Sequence, residues 1–207
     1  MDLKQIRDES IRVADGLGAH VPPTLPLLDA KLEMRDADEV ASRILAMNAV
    51  AATAYGFDKA KAITWLNREG LTAFLSEREK GFIYEGTGES DRLKAQIEGM
   101  WALAWAMGVV NELDFAKDCD SNFARKLPNL KDLESSTHFR AAVHSRPLEQ
   151  IVAACDLAYC LHWAIRETQL SGRLLRENLN PYVVIERRRA LEWLLSREVW
   201  DAISLDT

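Results

Sequence analysis

The stretch from Pro147 to Leu170, PLEQIVAACDLAYCLHWAIRETQL, limits the fold more than any other part of the chain. Arg146 precedes a proline and is pushed out of the helical region, while Pro147 suits the first helical position, where no amide donor is needed. Ile151, Ala154, Leu157 (or Ala158), Leu161 and Ile165 return at three- and four-residue steps, the period of one helix face, and Gly172 supplies a stop. Polar groups interrupt this apolar pattern. Asp156, Cys160 and Trp163 share one stripe, and Tyr159, His162 and Arg166 share the next. An unpaired buried ion costs several kcal/mol, so Asp156 requires a cation or several hydrogen-bond donors from another segment. The expected donor is an arginine of the later helix, which would lock two central helices together.

The second central helix is DRLKAQIEGMWALAWAMG, with Ser90 as its expected cap. Leu93, Ile97, Met100, Trp101, Ala104 and Met107 (or Gly108) line one face, and Trp105 widens it until the second half is apolar nearly all round. Elsewhere the period predicts a helix over Leu3 to about Gly16, and an extended connector at AHVPPTLPL, where three prolines fall in five residues. Asp36 with Glu39 resembles a capping box for a helix to about Tyr55; another helix follows over Asp58 to Arg68, closed by Gly70. Ser76 with Glu79 is a second capping signal, for a short helix over Glu77 to Tyr84. Val109 to Leu130 reads as irregular, and Lys131 to His144 as one further weakly periodic helix. After Gly172 a connector ends in Asn180-Pro181, an N-cap with proline at the next position, opening YVVIERRRALEWLLS. Trp200, Ile203 and Leu205 make the tail apolar enough to dock. No repeat and no strand pattern competes with the helices. The expected fold is all-α: one globular domain over residues 1–207, of about seven to nine helices around two apolar central ones.

With 207 residues the chain can bury a full core, and 48% apolar against 28% charged residues excludes a disordered chain. A net charge of -6 speaks against nucleic acid and against an anionic membrane surface, and suits a basic protein partner. The first ten residues are charged rather than apolar, and no run approaches the roughly 18 residues of a membrane span, so a cytoplasmic location is expected.

Candidate chemistry is sparse. Asp156, His162 and Glu186 with the run Arg187, Arg188 and Arg189 supply an acid, a base and anion-binding groups. The simpler reading of the same residues is structural, with Asp156 in an interhelical ion pair and Glu186 paired to Arg189 one turn on. His138 and His144 are six residues apart and do not stack as metal ligands do, so no metal is expected. GTGES lacks the phosphate-loop lysine and the dinucleotide spacing, no G-x-S-x-G elbow occurs, and Cys119, Cys155 and Cys160 read as inert; no cofactor is expected. Trp101, Trp105, Trp163, Trp193 and Trp200 could line a pocket, but aromatics at helical spacing more often build core.

Several of these motifs together resemble one family. They are Leu75-Ser76 with Glu79, the run WALAWAMG from Trp101, Asp156-Leu157 with Tyr159, His162-Trp163-Ala164 and Arg166, Glu186-Arg187 with Ala190-Leu191 and Trp193, and the ending Trp200-Asp201 with Leu205-Asp206-Thr207. This combination looks like the bacterial family described as domain of unknown function 4272. The resemblance spans most of the chain and departs from the family at Cys160, where an arginine is expected. It implies a bacterial helical protein and brings no established activity. It draws attention to Asp156, Tyr159, Arg166, Glu186, Arg187, Trp200 and Asp206 as a shared site or a shared polar core; with His162 these are the candidate binding residues. The expected function is a non-enzymatic protein-binding module, an immunity protein against a basic toxin being one concrete form. The alternative is an enzyme or binding domain for an anionic small molecule, using Asp156, His162, Arg166, Glu186 and Arg187.

Overall fold

The computed structural model describes residues 1–29, 32–172 and 179–207. Every regular element among them is helical: α1 (Leu3–Gly16), α2 (Ala37–Ala54), α3 (Lys59–Arg68), α4 (Glu77–Lys80), α5 (Ser90–Ala95), α6 (Ile97–Ala106), α7 (Thr137–Ala142), α8 (Leu148–Leu170) and α9 (Pro181–Leu194). No helix among the described residues is long and apolar enough to cross a membrane.

Side-chain caps fix most of the helix starts. Asp2 accepts from the amides of Lys4 and Gln5 and opens α1, Asp58 accepts from Lys61 and opens α3, and Asn180 accepts from Tyr182 and opens α9 with Pro181 behind it. Ser76 and Glu79 form the complete reciprocal box at α4, whose chain continues through one wide turn, Gly81–Glu85. Three expectations shift. Asp36 caps α2 through Asp38, but the Glu39 carboxylate pairs with Arg35 instead of closing a box. Ser90 is the first residue of α5 rather than its cap, and the run from Ser90 breaks at Gln96 before α6 begins. Pro147 stands one residue outside α8, with an extended ψ of 135°.

Lys131 to His144 does not form one helix. Only Thr137–Ala142 is α-helical, because Leu133 takes a left-handed conformation (φ 50°) and ends the short turn Leu130–Asp132. The connector between Gly172 and Asn180 lies mostly outside the described residues.

The core runs as a chain of helix pairs: α2 against α6, α6 against α9, α9 against α8 and α8 against α1. The two helices expected at the centre are there, and α2 joins them, buried at every position from Val40 to Ala51. Gly99 lets α6 cross close over α9: a Cβ there would sit 3.1 Å from the Glu186 carbonyl and 3.6 Å from Trp200. A side chain would push α6 off α9. The tail docks as expected, with Trp200 edge-on to Trp193 at 5.7 Å and Ile203 buried.

Irregular segments are held by guanidinium groups reaching their backbone carbonyls. Arg7 donates to Leu25 and Pro26, Arg146 to Val110 and Asn111, Arg187 to Asp114 and Lys117, and Arg188 to Leu205 and Asp206. Each of these arginines anchors a segment that has little regular hydrogen bonding of its own.

Candidate functional site

The polar residues of α8 and α9 fall into separate clusters. Asp156 is sealed, 2% exposed, and its partner is Arg7 of α1 rather than an arginine of α9. Arg7 Nη2 and Nε lie 2.7 and 3.0 Å from Oδ1 and Oδ2, so both carboxylate oxygens are satisfied. Arg187 is equally enclosed. Its Nη2 donates to Glu98 Oε2 at 2.6 Å, while Glu98 Oε1 accepts the amide of Cys119. A third pair, Arg43 with Glu79 at 2.5 Å, joins α2 to α4, and the Arg43 guanidinium covers the Trp200 ring at 4.2 Å.

Tyr159 lies between two cations, with Arg7 at 5.4 Å and Arg188 at 4.9 Å from its ring centre. Arg188 Nη1 is 2.6 Å from His162 Nδ1. A guanidinium can only donate, so Nδ1 accepts and the imidazole proton sits on Nε2. Burial, then the charges of Arg188, Arg166 and Arg189, bring the His162 pKa down to about 4, and the ring is neutral at pH 7. Arg166 is exposed on the outer face of α8. Asp206 is exposed too; its carbonyl receives Arg188 and its carboxylate receives Ser204. Cys160, at the position where the resemblance calls for arginine, is buried 4.0 Å from Asp156 Oδ2. Burial pushes its thiol up to about 12 and that of Cys119 likewise, which suits inert packing rather than nucleophilic chemistry. Among the described residues no three His, Cys, Asp or Glu side chains converge as a metal site would require.

Tyr159 borders a shallow depression of about 370 Å³ and Arg187 another of about 400 Å³, whereas Glu186 and Trp200 line a larger cleft of about 740 Å³ between α4, α5, α9 and the C-terminal turn. Glu186 makes its expected contact with Arg189, at 3.7 Å, but Oε2 is buried without a partner. Burial raises its carboxyl pKa, against the pull of Arg189 and Arg78. Gln96, at the break between α5 and α6, also leaves a buried acceptor, Oε1, unpaired.

A further depression, of about 390 Å³, runs between α1 and α8. Gln5, Ile6, Glu9, Ser10 and Val13 form one wall along α1, and Glu149, Ala153, Ala154 and Leu157 form the other along α8, with Trp105 and Phe115 between. Asp2, Glu9 and Glu149 stand at its edge, and Arg12 holds the Glu9 carboxyl below its usual range. Apart from Trp105, one of the five tryptophans that could line a pocket, sequence reasoning singled out none of the groove residues as functional, nor Gln96 or Arg78 of the cleft. Their signal is faint: the groove walls show only as small residues and acids on otherwise core-facing stripes.

No curated protein and no solved structure matches the chain. The family described as "Domain of unknown function (DUF4272)" matches residues 7–203, from the arginine that neutralises Asp156 to the buried isoleucine of the tail, and the chain belongs to that family.

Proposed function

We propose that this protein is a non-catalytic binding module that holds a basic helical segment of another protein in the groove between α1 and α8. The observation that carries this reading is the match of shape and charge in that groove. Its α1 wall extends from Asp2 to Val13, about 16 Å or three helical turns. Ser10, Ala153 and Ala154 are small enough for a partner backbone to come close, Ile6, Trp105 and Phe115 make it apolar, and the rim carries the acids Asp2, Glu9 and Glu149, of which Glu9 already pairs with Arg12. An amphipathic helix laid into such a groove buries its apolar face and sets its lysines and arginines against the rim. The net charge of -6 adds long-range attraction for a basic partner. An immunity protein that neutralises a basic toxin is one form this role would take, in a bacterial cytoplasm.

The alternative, an anionic small molecule bound by Asp156, His162, Arg166, Glu186 and Arg187 together, draws less support. Asp156 and Arg187 each satisfy a partner inside the core, and only Glu186 of the five faces the cleft.

The test is a titration of the purified protein with a basic amphipathic peptide of about 16 residues, long enough to fill the groove. Saturable binding that falls about tenfold when Glu9 and Glu149 are both changed to Lys, and is lost in Ala153→Arg, supports the proposal. Binding indifferent to Ala153→Arg, or none with any such peptide, overturns it.

A further inference from the structure

The cleft at Glu186 shares no lining residue with the groove, and it holds an anomaly that the fold does not resolve. Buried acceptors in folded proteins are nearly always paired, because each one left unmade forfeits its hydration for nothing. Here two belong to side chains that line one cavity. Gln96 is 6% exposed, and its Oε1 has no donor; Glu186 Oε2 is buried and equally unmet. Both atoms ask for N–H or O–H groups, and Glu186, whose charged form burial penalises, asks for a cation.

The opposite chemistry stands beside them. Arg78 is exposed, and its guanidinium makes no hydrogen bond among the described residues; Arg189 reaches Glu186 only at 3.7 Å. The acids at the mouth have other partners. Glu89 pairs with Arg92 at 3.0 Å, Asp91 with Lys94 at 2.9 Å, and Asp201 accepts the Arg78 amide. The cleft therefore offers acceptors for a positive donor and cations for an anion, with Tyr182, Ile185 and Trp200 as its apolar lining. Its formal charges nearly cancel, with Arg78, Arg92 and Arg189 against Glu89, Asp91, Glu186 and Asp201. That balance is poorly suited to a polyanion such as a nucleoside triphosphate and well suited to a molecule that is itself neutral overall.

We infer that the cleft binds a zwitterionic amino compound, an amino acid or short peptide with an apolar side chain. Its ammonium group is held by the Glu186 carboxylate and the Gln96 side-chain carbonyl, which turn out of the cleft wall to meet it, and its carboxylate by Arg78 and Arg189. A cavity of about 740 Å³ has room for a residue or two with bound water.

The experiment uses the intact chain, read by thermal shift and calorimetry with leucine, phenylalanine and leucyl-leucine as probes. N-acetyl-leucine, which lacks the ammonium, leucine methyl ester, which lacks the carboxylate, and inorganic phosphate serve as controls. Binding of at least one free zwitterion is expected, about ten- to a hundredfold tighter than its blocked forms, since each block removes a charge-assisted hydrogen bond. Glu186→Gln is expected to weaken it by a similar factor, and Arg78→Ala, at an exposed position that leaves folding untouched, by at least about tenfold. The inference is overturned if no zwitterion binds, if the blocked forms or phosphate bind as well as the free ones, or if Arg78→Ala binds like wild type.

Discussion

Asp156 and Glu186 are acids on neighbouring helices, and from the sequence they read as members of one cluster. The fold treats them oppositely. Asp156 is enclosed with both oxygens held by Arg7, whereas Glu186 keeps 16% of its side chain exposed, one oxygen at a distance from Arg189 and the other with no donor. A carboxylate whose partners are complete is part of the frame. One that the frame leaves incomplete, at the wall of a cavity, is where a further molecule gains most by binding.

This contrast is sharpest in stability. Asp156→Ala strands Arg7 as an unpaired buried cation and should lower the unfolding free energy by about 3–5 kcal/mol. Arg7→Ala should cost a similar amount, and replacing both residues by apolar ones of similar size should recover much of it. Denaturant unfolding of the singles and the double measures all three; additive losses would break the assignment of the pair.

A smaller effect is expected at His162, through pH. Its folded pKa of about 4 lies below the usual 6.5, so the unfolded chain takes up a proton first as pH falls. The stability it contributes is whole above about pH 6.5 and is lost progressively toward pH 4, at up to about 1.4 kcal/mol per pH unit. Glu186 and Glu192 have raised folded pKa values and act in the opposite sense, so the comparison to make is wild type against His162→Gln over that range. If both lose stability with the same slope, the neutral imidazole under Arg188 is not the acid-sensitive contact. The smallest effect belongs to Glu186→Gln, which removes a charge that burial penalises; stability should stay within about 1 kcal/mol of wild type or rise. A loss as large as that of Asp156→Ala would erase the distinction between the two acids.

The helices were largely legible because capping and period are local. Asp58, the Ser76–Glu79 box and Asn180-Pro181 act within one turn, and each marks its helix as expected. The Asp156 partner was not legible in the same way. Arg7 is 149 residues away, and all three arginines expected as donors on α9 are committed elsewhere, Arg187 to Glu98, Arg188 to His162, Glu192 and the tail, and Arg189 to Glu186. One clue exists: Arg7 interrupts the stripe of Leu3, Ser10 and Ala14, so α1 carries a charge on its own buried face. The deep burial of α2 was concealed by alanines, whose weak apolar signal does not show that neighbours close in on every side. At the cleft, Glu186 and Trp200 were among the residues singled out; Gln96 and Arg78 were not, since an unmet acceptor exists only in three dimensions.

The arginines that reach into the irregular segments address carbonyl oxygens, and a carbonyl is the same in every amino acid. Arg7, Arg146, Arg187 and Arg188 thus hold the course of those segments without regard to the side chains they carry. Exposed residues of these segments, such as Thr24, Asn111, Glu112 and Lys117, are free to change while the path of the chain stays fixed, whereas exchanging one clamping arginine for lysine would lose the fork that spans two carbonyls. Drift in sequence is channelled to the outer surface of the loops, so a chain built on this skeleton can acquire a new face without acquiring a new shape.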